Sequence, residues 1–405
     1  VSGNTSTHLF AGGGGDLLGF EEAEFTPVTG VNHNAPAVAT LRANFDGVRA
    51  LRRNIHTLDF RTLPRTRVAV GSPICTESTP AGGNPTPKRQ EDLDDAAEDD
   101  GQERDEWPLT RLTAWDLVRA DEVHDFDIVC GENVPGFLTR WRLANSWLRV
   151  WDDLGKNVQI ASVNAAHIGG PGNDTAPQVR DRIVFVFSKK GLPLPDLRVR
   201  PDCMCTECGP VQGIQKWGKR FDKLGVRKVG SYGQQYVYVC PNRSCGHRVV
   251  APVTRPVSSV IDWSLPGQRI ADGKPKRKRF TPYPDSTLAL VEAALVRYPQ
   301  VRHLADPDRS QHLIVHIGRD TLPRLTSTPL STVACKPHHA LIRPAARVED
   351  CTLRMLQPYE TAQVQRFPRT YTLTGTVEEQ YMQVGNAVPV NVAHWLGKSL
   401  LPSLN

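Results

Sequence analysis

Short apolar runs that each break off at a glycine or polar turn constrain this chain more than any other feature. Thr7-His8-Leu9-Phe10-Ala11 runs into Gly12 to Gly15 and then Asp16-Leu17-Leu18-Gly19-Phe20, which reads as strand, turn and helix. Pro27 to Val31 is a second strand, followed by Ala37, Val38, Leu41 and Phe45 at helical spacing. Arg67-Val68-Ala69-Val70-Gly71 stops at Ser72-Pro73-Ile74-Cys75, and Phe126-Asp127-Ile128-Val129-Cys130 stops at Gly131-Glu132-Asn133-Val134-Pro135. Arg182 to Phe187 is another such run. Strands of this kind alternating with helices predict an α/β fold on a parallel sheet, with ligands at the carboxyl ends of the strands.

The turns carry the reactive side chains. Phe10, Ala11, Gly12, Gly13, Gly14 and Gly15 let backbone approach a nucleoside-type cofactor, because glycine has no Cβ to obstruct it. Cys75 stands just past a buried strand, where nucleophiles are commonly held, although a lone cysteine is more often structural. Glu132 ends another strand beside apolar chain, a setting that raises a carboxyl pKa and suits proton donation. Gln178, Arg180 and Arg182 open the run that follows and bring two guanidinium groups toward the same rim.

Charge is unevenly placed. The formal net charge is +6, yet Glu91 to Glu106 holds ten acids and one base, so the other 389 residues carry +15. That body suits a polyanionic partner. Residues 82–106 have almost nothing apolar and read as a disordered, acidic loop, either inert or a screen against non-specific polyanion. No apolar run approaches the ~20 residues of a membrane span, and the N-terminal residues do not read as a signal peptide. A cytoplasmic, monomeric protein is expected. Nine cysteines are too few for a disulfide scaffold.

Five of those cysteines fall between Cys203 and Cys245. Cys205-x-x-Cys208 and Cys240-x4-Cys245 have the spacing of a zinc ribbon, with Cys203 and His247 as spare ligands. Four thiolates leave no open position, so the zinc is expected to be structural. Lys216, Trp217, Lys219, Arg220, Phe221, Lys223, Arg227, Lys228, Tyr232, Tyr236 and Tyr238 lie between the pairs, and basic residues among aromatics suit nucleic acid. The run Lys274 to Arg279 suits phosphate. Trp141, Trp147 and Trp151 read as core.

In order along the chain, these motifs resemble the DNA cytosine-5 methyltransferases. The glycine turn resembles that family's S-adenosylmethionine motif and the Cys75 turn its catalytic motif. Glu132-Asn133-Val134 and Gln178-x-Arg180-x-Arg182 match two more. Arg354 to Glu360 with Gln365 to Pro368 resembles the motif that supports the recognition domain. Gln383 to Pro389 matches the last cofactor-side motif. The resemblance implies a Rossmann-like catalytic domain over 1–190, completed by 350–405, with a zinc-ribbon-bearing target recognition domain inserted at 191–349 and its ribbon at 203–247. Cys75 is then the nucleophile toward C6 of a flipped-out cytosine in double-stranded DNA. Glu132 holds N3 and the exocyclic amine, Arg182 contacts O2, and Asn133 fixes the cysteine loop. Arg180 and Arg182 are sources of charge that lower the thiol pKa. Asn32, His33, Asp59, Asn386, Ala387 and Val388 fall at cofactor-side positions.

Three departures from that pattern stand out. Ile74 precedes the cysteine where the family usually has Pro. His8 stands where an acid precedes Leu-Phe. Asn32-His33-Asn34 stands where an acid meets the ribose, which predicts cofactor binding without charge assistance. The Cys75 segment and Ile261-Asp262-Trp263 resemble a phage- or prophage-associated branch. Two rivals share the motifs or the basic body: an RNA cytosine-5 methyltransferase, and a catalytically silent DNA-binding or regulatory protein.

Overall fold

The computed structural model describes residues 3–74, 112–218, 228–274, 279–304, 308–318 and 322–405. Cys75, the acidic loop 82–106, residues 219–227 of the basic stretch and 275–278 of the basic run lie outside them. Among the described residues no helix is long and apolar enough to cross a membrane.

Seven strands form the central sheet: β1 (Thr5–Leu9), β2 (Thr26–Asn32), β3 (Arg49–Arg52), β4 (Val68–Gly71), β5 (Ile128–Asn133), β6 (Lys156–Asn164) and β7 (Asp181–Lys189). Their order is β3-β2-β1-β4-β5-β7-β6. The first five are parallel, as the strand–turn–helix alternation predicts. The last two are not: β7 runs antiparallel to both β5 and β6. The order reverses between β1 and β4, which opens a crevice at their carboxyl ends.

One face is covered by α3 (Thr113–His124), α4 (Pro135–Thr139) and α5 (Ala144–Asp153). Trp141, Trp147 and Trp151 fill the space between these helices and Phe185 and Phe187 of β7, as core rather than as a base-stacking surface. The opposite face takes α1 (Gly15–Glu22) and α9 (Val390–Leu404). The C-terminal helix therefore completes a sheet begun almost 400 residues earlier, and Arg67 donates to the Leu404 carbonyl at 2.8 Å. Between β2 and β3, α2 (Ala35–Asn44) is capped by the Asn34 side chain, which accepts from the Ala37 N–H.

Two smaller antiparallel sheets follow. The second has the order β10-β11-β12-β8-β9, from β8 (Asp202–Cys205), β9 (Gly209–Gln212), β10 (Ile214–Trp217), β11 (Tyr236–Val239) and β12 (Val249–Pro252). The third is β13-β17-β16-β14-β15, from β13 (Gln268–Arg269), β14 (Leu313–His316), β15 (Arg324–Leu325), β16 (His339–Arg343) and β17 (Thr352–Met355). Helix α6 (Asp285–Arg297) packs on the third sheet around its own core. β17 thus belongs to the third sheet, although the motif pattern groups residues from 350 onward with the catalytic segment. Helices α7 (Pro358–Val364) and α8 (Val377–Asn386) lead back to α9.

Candidate functional site

The parallel strands deliver their polar turns to one rim. After β1 the chain turns sharply: Phe10 has φ +61°, Gly12 +48° and Gly14 +83°. A Cβ on Gly14 would lie 2.6 Å from the Tyr371 hydroxyl, and one on Gly15 2.2 Å from the Val388 carbonyl oxygen, so neither position tolerates a side chain. The Tyr371 hydroxyl donates to the Gly13 carbonyl at 2.7 Å, which ties the turn to the C-terminal segment. In front of Gly12 there is room, because a Cβ there would meet only its own Phe10 carbonyl at 3.8 Å.

The neighbouring positions are arranged as follows. Asn32, half-buried at the end of β2, accepts from the Asn34 N–H through Oδ1 at 2.9 Å. His33 is exposed. Asp59 caps a short turn over Phe60–Thr62 and is held by both nitrogens of the Arg61 fork, at 2.9 and 2.8 Å. That pairing holds its carboxyl below the usual range. Asn386 is exposed and accepts from the Cys335 thiol, Ala387 is buried, and Val388 lies over Gly15. The His8 imidazole, where an acid was expected, is fully buried between Ser6 Oγ at 2.9 Å and Asp16 Oδ2 at 2.8 Å.

β4 and β5 carry the reactive rim. Three hydrogen bonds anchor the segment leading to Cys75. Glu132 N–H donates to Ser72 Oγ (3.2 Å), Asn133 Nδ2 to the Pro73 carbonyl (2.9 Å), and Ile74 N–H to Thr113 Oγ1 (3.1 Å). Glu132 Oε1 pairs with Arg182 Nε at 2.8 Å. Burial pushes the Glu132 carboxyl above its ordinary value, and Arg182 and Arg180 oppose the shift.

The two arginines differ. Arg182 faces Glu132. Arg180, 3% exposed, donates to the carbonyls of Val333 (2.9 Å), Gly385 (2.8 Å) and Ala387 (3.3 Å). Gln178, fully buried, accepts from Val333 N–H at 2.7 Å and donates to Gln365. Gln178 and Arg180 therefore brace the loops at 333 and 385–387, and only Arg182 enters the rim. Thr113, Val333 and Tyr371 take part in these bonds without any sequence signal of their own.

Away from this rim, Sγ of Cys205, Cys208, Cys240 and Cys245 all lie within 4.8 Å of one another. Four sulfurs about 2.3 Å from a tetrahedral zinc are ~3.8 Å apart, so the group is sized for one ion. Backbone N–H groups of Glu207 and Cys208 lower the Cys205 thiol pKa. The spare candidates lie outside the group: Cys203 is buried elsewhere in the core, and His247 donates through Nδ1 to the Cys240 carbonyl.

The profile of the C-5 cytosine-specific DNA methylase family matches residues 5–202 and 293–401. A relative from Psychrobacter sp. (strain TA137), Type II methyltransferase M.PspPI, is 25% identical over 402 residues, covering 98% of this chain and 79% of its own. Among solved structures, a putative DNA modification methyltransferase encoded within an E. coli prophage aligns with TM-score 0.53 at 16% identity, over 99% of both chains. A Spodoptera frugiperda DNMT2 mutant aligns with TM-score 0.54 at 16% identity, over 98% of this chain and 99% of that one. At those identities the structural matches speak for the fold.

Proposed function

The chain belongs to the C-5 cytosine-specific DNA methylase family, and on that premise we propose which residues carry the reaction. The enzyme methylates C5 of cytosine in DNA and depends on S-adenosylmethionine, which supplies an electrophilic sulfonium methyl group. The open turn before Gly12, the Phe10 ring and the Asn32 amide fit a nucleoside-bearing ligand at the strand-order reversal. Asp59, His33 and Asn386 to Val388 are assigned to the same ligand on their positions in the motif order.

C5 of cytosine is a poor nucleophile. The Cys75 thiolate adds to C6, and the electron pair moves toward N3, where protonated Glu132 donates a proton. Arg182 meets O2 and balances charge developing on the ring. C5, now enamine-like, would then accept the sulfonium methyl, the S–CH3 electron pair staying on the departing thioether sulfur, and the N3 proton would return to Glu132. A base removes the C5 proton, the ring double bond re-forms and the thiolate leaves. The target cytosine must be out of the helix for this, at an unstacking cost of a few kcal/mol. Asn133 positions the cysteine segment, and Arg180 acts as a brace rather than a substrate contact.

The single observation that carries this assignment is the Glu132–Arg182 pair beside the Asn133-anchored segment that enters Cys75. The part of the third sheet that falls within 191–349, with α6, is assigned to target recognition, because its α6-facing side has its own core, while β17 lies beyond that segment. The four-cysteine group is assigned one structural zinc.

The test is trapping on duplex DNA that carries 5-fluorocytosine, which cannot release the C5 substituent. The intact enzyme should form a covalent complex that survives denaturing gels, and Cys75→Ser should form none. Equal trapping by both would assign the nucleophile elsewhere.

A further inference from the structure

We propose that the four-cysteine sheet is a metal-locked wall of the catalytic unit that positions Arg182, and is not part of the DNA-reading surface. This rests on the structural zinc assigned above. The inner side of the sheet, with Trp217, Tyr236, Tyr238 and Val250, shares one continuous core with Val163 of β6 and Val184 and Val186 of β7. Phe20 of α1 and Val392 and Leu396 of α9 belong to the same core.

A chain of short bonds leads from that wall to the site. Ser162 Oγ on β6 donates to the Lys228 carbonyl and accepts from Gly230 N–H, both at 3.0 Å, while Gln215 Nε2 donates to the Ser162 carbonyl at 2.9 Å. Next along the segment, Tyr232 N–H donates to Asp181 Oδ1 at 3.1 Å, which also accepts from Asn164 Nδ2 at 2.8 Å. Asp181 is the first residue of β7. Its carbonyl accepts from Arg182 Nη1 at 2.8 Å, and Arg182 Nε meets Glu132. His167 packs edge-on against Tyr232 and Tyr238.

The wall itself is thin. Its five strands are four residues each, with Cys205 ending β8, Cys208 in the turn to β9, and Cys240 and Cys245 in the β11–β12 connection. Strands this short are at the lower end of the usual range and gain stability from a staple. One ion joining both turns supplies it, and binding free energy then becomes folding free energy. Without the ion the wall loosens, Asp181 loses the Tyr232 bond, and Arg182 is no longer held against Glu132.

The experiment uses the full chain. Elemental analysis should find about one zinc per chain, and Cys208→Ser/Cys245→Ser should lose it. On chelation, amide exchange at 182–184 should quicken about tenfold or more, while 313–316 and 339–343 keep their protection. The kcat should fall about tenfold or more with KM for DNA little changed. Asp181→Ala should lower kcat similarly while zinc stays bound. Four results would overturn the proposal: no bound metal, unaltered protection at 182–184 after metal loss, a KM effect in place of the kcat effect, or full activity in Asp181→Ala. Covalent trapping through Cys75 is scored separately. Trapping that persists after metal loss argues against the wall alone. Failure of trapping with zinc bound and 182–184 protected argues against the nucleophile alone.

Discussion

Asn133→Ala isolates how the cysteine segment is held. The Asn133 side chain is 2% exposed and makes two bonds: Nδ2 donates to the Pro73 carbonyl at 2.9 Å, and Oδ1 accepts from Val134 N–H at 2.8 Å. Alanine orphans both backbone groups in a buried setting. Each orphaned group costs about 1–3 kcal/mol, so the pair costs roughly 2–4 kcal/mol after some relaxation. The segment relieves the penalty by moving, and Cys75 follows Pro73 by two residues. At 1.4 kcal/mol per tenfold in rate, a loss near 3 kcal/mol corresponds to about a hundredfold in kcat. Single-turnover transfer of labelled methyl to duplex DNA reads this directly. Cofactor affinity, measured by calorimetry, should hold, because the β1–α1 turn makes none of these bonds. Asn133→Asp sharpens the comparison: it keeps an acceptor for Val134 but sets a carboxylate against the Pro73 carbonyl, and should be no better than alanine. A kcat within about threefold of the parent for either variant would refute the anchoring argument.

Three further outcomes follow from the geometry. The Glu132 carboxyl, raised by burial, keeps its proton to higher pH than a free one, so transfer should fall as pH climbs through that raised value. Glu132→Gln cannot titrate and should flatten that limb while losing about a hundredfold at the maximum; a pH–rate profile with the limb intact would assign it to another group. Gly131→Ala places a Cβ 1.9 Å from the Gly71 carbonyl oxygen across the β4–β5 pair and should lower stability by about 3 kcal/mol or more, and a urea midpoint equal to the parent's would contradict it. Asn32→Asp keeps the bond from Asn34 N–H and adds charge toward the ribose hydroxyls. It should tighten S-adenosylmethionine about fivefold by calorimetry, and unchanged or weaker binding would count against a ribose role.

Much of the site is legible along the chain because it is built locally. β1, β4 and β5 are apolar runs, and the residues that end them, Gly12 to Gly15, Ser72-Pro73 and Glu132-Asn133, must emerge on one rim once those strands are parallel. The cysteine pairs are equally local, since each lies on its own turn, and the fold needs only to bring two turns together. The capped start of α2 and the tryptophan core of α4 and α5 likewise follow from side-chain type and spacing.

Other features have no local signature. An apolar run encodes burial of a strand but not its direction. Were β7 parallel to β5, Arg182 would lie at the opposite rim, about 20 Å from Glu132 at ~3.3 Å per residue. Antiparallel pairing instead sets Ile183 opposite Asn133 and Val184 opposite Glu132. The roles of Arg180 and Arg182, two residues apart, separate only because loops from 333 and 385–387 close over the first and leave the second to Glu132. In the same way, the aromatics beside the cysteines read as a nucleic-acid surface until Tyr236 and Tyr238 are seen buried in one core with Val184 and Val186 of the central sheet. Residue types and their order determined the chemistry this chain can perform. Strand direction and long-range packing, which depend on contacts distant in sequence, decided which of those residues meet.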